Sequence, residues 1–435
     1  MKIRGHKSVV PGARRTRPCC CLIVLGLWAG MASPAGAAEL GASVHSLLEH
    51  ARAQNPELAA MRYEASAAEQ RLQPAGALPD PVIRVELENF NNYGRDARPS
   101  LLPWRVGETK YTLMQTLPAW GKRDLRRDVA AADVQQAGAR ANAAWVELSA
   151  KIKVGYAQYY GAAASERLTR EVADLLSRMA QLAQVRYAGG LVAQQDAIRA
   201  QLEQTANRSE LITLDNQKRL LRVRLNALLA RDGQAPLADP QALRPLPPLT
   251  TLDAEALVQR ARANNPLLRA EEARLRGAQS NRDLTLRNRY PDVLVGISPA
   301  QMGTRLTTWG LMVELSIPLQ QDTRRAQERE SEAMVSAARA RTQALANHLL
   351  GELGEILAGI DAARRSEALI AKQLLPQSEL SLRSALAAYE NGKVDFATLL
   401  DAQRQLRKAR LDRLTLQVEA QMRLAEIERV LGEDL

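Results

Sequence analysis

Val185-Arg186-Tyr187-Ala188-Gly189-Gly190-Leu191 and Ala387-Ala388-Tyr389-Glu390-Asn391-Gly392-Lys393 are two copies of one turn. Each sits between two long helical runs, and glycine is the usual terminator of a helix. Tyr-x-x-Gly recurs at a spacing of 202 residues, and Ala200-Gln201 recurs as Ala402-Gln403 at the same offset. An offset shared by turn and flank points to a duplicated helix–turn–helix unit, beyond two turns of similar chemistry.

Upstream of the first turn, Lys122 to Ala188 contains no proline and little glycine, which predicts one helix of about 100 Å. Leu168, Val172, Leu175, Met179 and Leu182 form a heptad seam on it, and Leu211, Leu214, Lys218, Leu221, Leu225 and Leu228 form one on the returning helix. Before the long helix, Ile83, Val85 and Leu87 alternate with Arg84, Glu86 and Glu88, a strand polar on one side. A second strand runs from Thr109 to Leu117, and residues 44–73 read as helix broken at Asn55-Pro56. After a proline-rich linker the order restarts. Ala261-Arg262-Ala263-Asn264-Asn265-Pro266 echoes Ala51-Arg52-Ala53-Gln54-Asn55-Pro56, residues 293–297 and 311–317 read as strands, and a long helix begins at Asp322. That helix is expected to break near Gly351–Gly359 and at Pro376, before a last helix ending near Leu431. The segments are residues 1–38, 39–235 (first repeat), 236–250 (linker) and 251–435 (second repeat). The fold class is mainly α with β: long antiparallel helical hairpins plus four strands.

Aromatic content of 4% with abundant Ala, Leu, Arg and Gln suits long packed helices. The formal charge is +11, but six Lys or Arg and no acid lie in residues 1–38, leaving 53 basic against 48 acidic residues. Interleaved along helices, these describe solvated faces and no nucleic-acid partner. Residues 1–38 read as a secretory signal peptide: a basic start, a mostly apolar run from Cys19 to Ala32, then Ala35-Gly36-Ala37-Ala38 for cleavage. All three cysteines open the apolar run, so no disulfide framework, thiol site or lipidated cysteine is expected after cleavage.

Beyond residue 38 no stretch is long and apolar enough for a transmembrane helix, so membrane insertion would require strands. Strands of about nine residues can cross an outer membrane, but four cannot close a barrel that needs about eight or more. Several chains would have to share one. Trp104, Trp120 and Trp309 lie within a few residues of strand ends, where a membrane interface selects aromatics. A soluble sheet capping a helical bundle is the competing reading.

The duplicated order, Leu78-Pro79-Asp80-Pro81 before the first strand, Gln115-Thr116-Leu117-Pro118-Ala119-Trp120-Gly121-Lys122-Arg123 after the second, and Tyr-x-x-Gly in both turns resemble the TolC family of outer-membrane efflux proteins. The Pro-x-Trp-Gly-Lys-Arg stretch is most similar to its heavy-metal branch, the CzcC and CusC type. The resemblance implies a homotrimer with a 12-stranded barrel in outer-membrane lipid, a helical tunnel across the periplasm, and two partners: a periplasmic adaptor and an inner-membrane RND pump. Substrate, heavy-metal cations in that branch, would pass through passively. Multidrug efflux, type I secretion, and a non-conducting periplasmic scaffold are the alternatives.

The same resemblance places the closed aperture at the turns Gly190 and Gly392. Tyr187 and Tyr389 match the family tyrosine, and Asp401 matches a ring aspartate. Thr398 stands where an acid is common, while Asp196 holds the equivalent place in the first copy. Arg199 is within helical reach of Asp196 and could restrain it. For each charged residue the alternative is a solvated coiled-coil position. His45, His50 and His348 lack ligand spacing, and no phosphate loop, nucleophile elbow or zinc motif is present, so neither enzyme, cofactor nor metal site is expected.

Overall fold

In the computed structural model, which describes residues 40–89, 100–190, 192–317 and 319–435, the element order is stated twice. Helices α1 (Val44–Gln54) and α2 (Pro56–Gly76) lead to strands β1 (Val82–Glu88) and β2 (Glu108–Leu117), then α3 (Lys122–Ala188) and α4 (Gln194–Leu228). Next come α5 (Ala254–Asn264), α6 (Pro266–Arg287), β3 (Val293–Met302), β4 (Arg305–Leu315), α7 (Gln321–Leu369), α8 (Leu375–Glu390) and α9 (Phe396–Leu431). The export segment expected in residues 1–38 lies outside the described residues, as does much of the loop between β1 and β2.

Local chemistry sets the boundaries. Asn55 caps α2, its side-chain oxygen accepting from the N–H groups of Glu57 and Leu58, with Pro56 in the first helical position. Asn265 and Pro266 repeat the arrangement at α6. α3 is unbroken over 67 residues and packs against α4, α6 and α9. Gly155 and Gly161 admit the close approach: a Cβ would stand 2.8 Å from Leu225 Cδ2 at the first and 2.9 Å from Val418 Cγ2 at the second. The seam buried on α3 is Thr169, Val172, Leu176, Met179 and Ala183. It lies one residue off the Leu168–Leu182 seam at alternate positions, because Leu175 and Leu182 flank the packed face and are only half-buried.

One of the two expected interruptions of the long helix needs correction. Gly351 and Gly359 do not break it. Leu349, Leu353, Ile356 and Ile360 bury one face through this stretch, and that packing outweighs a glycine cost of about 1 kcal/mol each. The interruption expected at Pro376 is present in another form: α7 stops at Leu369, and α8 starts at Leu375 with Pro376 in its first turn. A π-helical segment, Ile370–Leu374, widens the helix just upstream, with the Leu375 N–H bonded to the Ile370 carbonyl. The strands β3 and β4 are also longer than the sequence pattern suggests. Pro299 interrupts the apolar alternation yet lies within β3, where β2 makes no ladder pair to it.

Each repeat has its own core. Leu47, Leu58, Ile152, Tyr156, Tyr159, Leu225 and Leu229 form one, and Leu257, Leu353, Ile360, Leu424 and Ile427 the other. Buried charge ties them: Lys153 on α3 donates to Glu428 on α9 at 2.7 Å and to Asp434, and Arg244 of the linker grips Glu428 at 3.0 and 3.1 Å. Lys218 of the first repeat bridges Glu166 (3.0 Å) and Asp239 of the linker (2.8 Å), and burial together with Asp239 pushes the Tyr159 hydroxyl up to about 12. A third core, at the two turns, mixes α3, α4, α8 and α9.

Candidate functional site

The four strands form one antiparallel sheet in the order β1-β2-β3-β4, leaving β1 and β4 as open edges. Pairing aligns Ile83, Leu113, Ile297 and Leu311 in a single row across all four strands. Val85, Trp309, Val313 and Leu315 share that face, and all eight side chains are exposed. On the opposite face Thr112, Met114, Ser298 and Ala300 are buried, and Arg84, Glu86 and Glu314 carry the charge. The apolar face has no cover among the described residues. Trp104 and Trp309 stand toward one end of the sheet, Trp120 and Tyr290 beyond the other, all four exposed.

Below the sheet, Lys122 ties the chain leaving β2 to the chain approaching β3. It is buried, donates to the Tyr290 carbonyl and to Asp292 (2.8 Å each), and Asp292 also accepts from the Ala119 N–H at 2.8 Å. Desolvation pushes the Asp292 carboxyl up, but the Lys122 ammonium and the Ala119 N–H outweigh it and hold the group below the usual carboxylate range.

At the other end of the helices the two turns differ. Gly190 and Gly392 both adopt left-handed backbone, with φ of 68° and 71°. Tyr187 is 43% exposed, whereas Tyr389 is 1% exposed. The Tyr389 ring packs edge-on against Phe396 with centroids 5.7 Å apart, and the Arg186 guanidinium lies 5.0 Å from the centre of the same ring. Arg186 Nη1 also donates to the Tyr389 carbonyl and, at 2.9 Å, to that of Glu390, satisfying the last carbonyls of α8. The absence of a Cβ at Gly392 leaves room: one would stand 3.3 Å from Arg186 Nη2. The Tyr389 hydroxyl is buried without a hydrogen-bond partner among the described residues. Burial, and the nearby Asp196 charge, raise its pKa against the opposing effect of Arg186.

Asp196 is half-buried in the first turn of α4 and makes no ion pair with Arg199. Asp395 caps α9, accepting from the Thr398 hydroxyl at 2.6 Å and its N–H at 3.0 Å, and these two bonds hold its carboxyl below the usual range. Thr398 is thus the second half of a cap. Asp401 is exposed, with Arg404 at 4.0 Å, and Arg404 itself pairs with Glu203 of α4 at 2.6 Å. The structure therefore brings Tyr389, Arg186, Asp196 and Phe396 together and leaves Tyr187 and Asp401 facing outward. Arg186, Phe396, Glu203 and Arg404 carry no motif that marks them in the sequence. For Arg186 one signal is available: it sits inside the repeated turn where the second copy has Ala388.

Among the described residues no cluster of His, Cys, Asp and Glu is arranged to hold a metal ion, and no helix is long and apolar enough to cross a membrane. The fold is shared with solved channels. The outer-membrane channel OprN superposes with a TM-score of 0.76 at 20% identity over 89% of each chain. CusC does so at 0.75 and 17% identity over 90% of this chain and 92% of its own. VceC of Vibrio cholerae gives 0.74 at 18% identity over 90% and 96%. In sequence the chain is 26% identical over 395 residues, 90% of each protein, to the cobalt-zinc-cadmium resistance protein CzcC of Cupriavidus metallidurans. The pattern of the outer membrane efflux proteins matches residues 47–231 and 257–433, one stretch in each repeat, and the chain belongs to that family.

Proposed function

We propose that the chain is the exit duct of a tripartite efflux system, three copies sharing one 12-stranded barrel in the outer membrane above a helical tunnel. The observation that carries this is a sheet of four strands with an exposed apolar face and two open edges. In lipid such edges leave backbone groups unpaired at several kcal/mol each, and pairing β4 of one copy with β1 of the next removes them. Residues 1–38 serve as the export signal. Aromatics near both ends of the sheet fit two interfacial girdles. A periplasmic adaptor and an inner-membrane pump complete the system.

Heavy-metal cations are the proposed cargo, supported by the relation to CzcC and the likeness in fold to CusC. The duct's part is electrostatic. Three copies of exposed Asp401 around a constriction attract cations and repel anions. Tyr187, Tyr389 and Asp196 belong to the same gate, Tyr389 by holding the second turn together and Tyr187 by facing the neighbouring copy.

The deciding measurement is the mass of the protein extracted from outer membranes in mild detergent. A trimer supports the duct; a soluble monomer in the periplasmic fraction overturns it. Arginine at Val85 or Val313 costs about 2–4 kcal/mol near the bilayer midplane and sharply lowers trimer yield. Unchanged yield would remove that face from lipid. For cargo, a deletion strain is expected to become sensitive to cobalt, zinc or cadmium, and unaltered tolerance to all three would point to other substrates.

A further inference from the structure

Where the sheet meets the helices, an open groove of about 670 Å³ runs between the start of α3 and the end of α6. Trp120, 93% exposed, and Tyr290 stand on its rim, and Leu286 lines it. It lies at the end of the sheet where Leu117 and Leu315, both paired with Val293, end the exposed apolar face.

The charges in the groove sort themselves. Asp283 is taken by Arg282 at 2.7 Å, and Arg289 is held by Glu328 through two bonds of 2.6 Å. Two groups are left over, Arg287 and Asp124, and neither has an oppositely charged partner among the described residues. The Arg287 guanidinium is nonetheless placed. It lies 5.7 Å from the centre of the Tyr290 ring and passes over Gly121, whose missing Cβ would stand 3.5 Å from Nε. Asp124 is one turn of α3 further along. The groove thus offers one fixed cation and one carboxylate, between aromatic walls.

We propose that this groove binds the headgroup of a zwitterionic aminophospholipid, phosphatidylethanolamine, with Arg287 on the phosphate and Asp124 on the primary ammonium. This rests on the reading of the sheet as lipid-facing. A planar guanidinium matches phosphate oxygens, and an ammonium donates to a carboxylate with charge on both sides. Trp120 and Tyr290 cover the glycerol region, the usual place of aromatics at a bilayer interface. A choline headgroup has no N–H for Asp124, and a glycerol headgroup brings no cation to it. The site therefore selects against both.

Native mass spectrometry of the detergent-extracted full chain tests this, after exchange with equal amounts of phosphatidylethanolamine, phosphatidylglycerol and phosphatidylcholine. Phosphatidylethanolamine is expected to be retained about tenfold over the others. Asp124→Asn removes the preference over phosphatidylcholine but keeps some binding. Arg287→Gln lowers retention of all three, with trimer yield as the folding control for each variant. A normal trimer that retains the three lipids equally, or whose preference survives Asp124→Asn, overturns this inference and leaves the duct intact. A chain that does not enter bilayers at all overturns both.

Discussion

The two turns of this chain began as the same motif and are fastened by different means. At the second, Tyr389 and Phe396 close a small core, Asp395 caps the outgoing helix, and Arg186 arrives from the first repeat to cover the last carbonyls of α8. At the first, the equivalents of Phe396 and Asp395 are Gln194 and Ala193, α4 has no side-chain cap, and Val185, Tyr187, Ile198 and Leu202 are exposed. The second turn is held by its own chain, and the first spends its arginine on the second. Duplication thus supplied the scaffold, and divergence at single positions made the two turns differ in how firmly they are held. Arg186 joins the second turn to the first, whereas the apolar residues of the first stand exposed.

The largest test of that contrast is Phe396→Ala. Phe396 is fully buried, and such truncations cost about 3–5 kcal/mol. Hydrogen exchange at residues 382–400 is expected to accelerate strongly, while Gln194→Ala leaves residues 180–200 nearly unchanged. Equal responses would mean that the two turns are held alike.

Arg186→Ala comes next. It leaves the Glu390 carbonyl without its donor, while the Tyr389 carbonyl keeps the Gly392 N–H, and it removes the cation from the Tyr389 ring, together about 1–3 kcal/mol. Because the effect falls on the second turn, exchange should rise near Tyr389 more than near Arg186 itself. In planar bilayers the closed-state conductance of the trimer should rise as well. Asp401→Asn should instead lower cation selectivity and leave exchange untouched, since Asp401 is exposed and its ion pair with Arg404 is a long one.

Much of this architecture was legible because it depends on periodicity and on chain-breaking residues. The extent of α3, the two Asn-Pro helix starts and the polar and apolar faces of β1 follow from one-dimensional pattern. What escaped depends on a second chain segment. Gly351 and Gly359 read as breaks because a glycine's cost is local, but the packing of Leu353 and Ile356 that overrides it is not. The strand over residues 293–297 read too short because the gap in the β2 pairing that admits Pro299 cannot be seen in β3 alone. At the turns, residue types matched the family gate, yet burial separated Tyr187 from Tyr389. The deciding residue for that was Phe396, which carries no motif.

The smallest effect is the sharpest comparison, because it can be run in both directions. Asp395→Ala removes the cap of α9 and costs about 1 kcal/mol, and Ala193→Asp supplies one to α4 and stabilises it by a similar amount. Acid should separate the two variants from their parent. The Asp395 carboxyl is held below its ordinary value by the Thr398 hydroxyl and N–H, so its contribution is fully present above the unfolded carboxylate pKa. As pH falls through the lowered folded value, the contribution is lost. Wild type and Asp395→Ala should therefore differ in exchange at the second turn at neutral pH and converge in acid. Ala193→Asp should slow exchange at the first turn at neutral pH and lose that gain over a similar range. If Ala193→Asp gives no protection, the weakness of the first turn lies in its missing aromatic core rather than its missing cap, and Gln194→Phe becomes the substitution that makes the two turns alike.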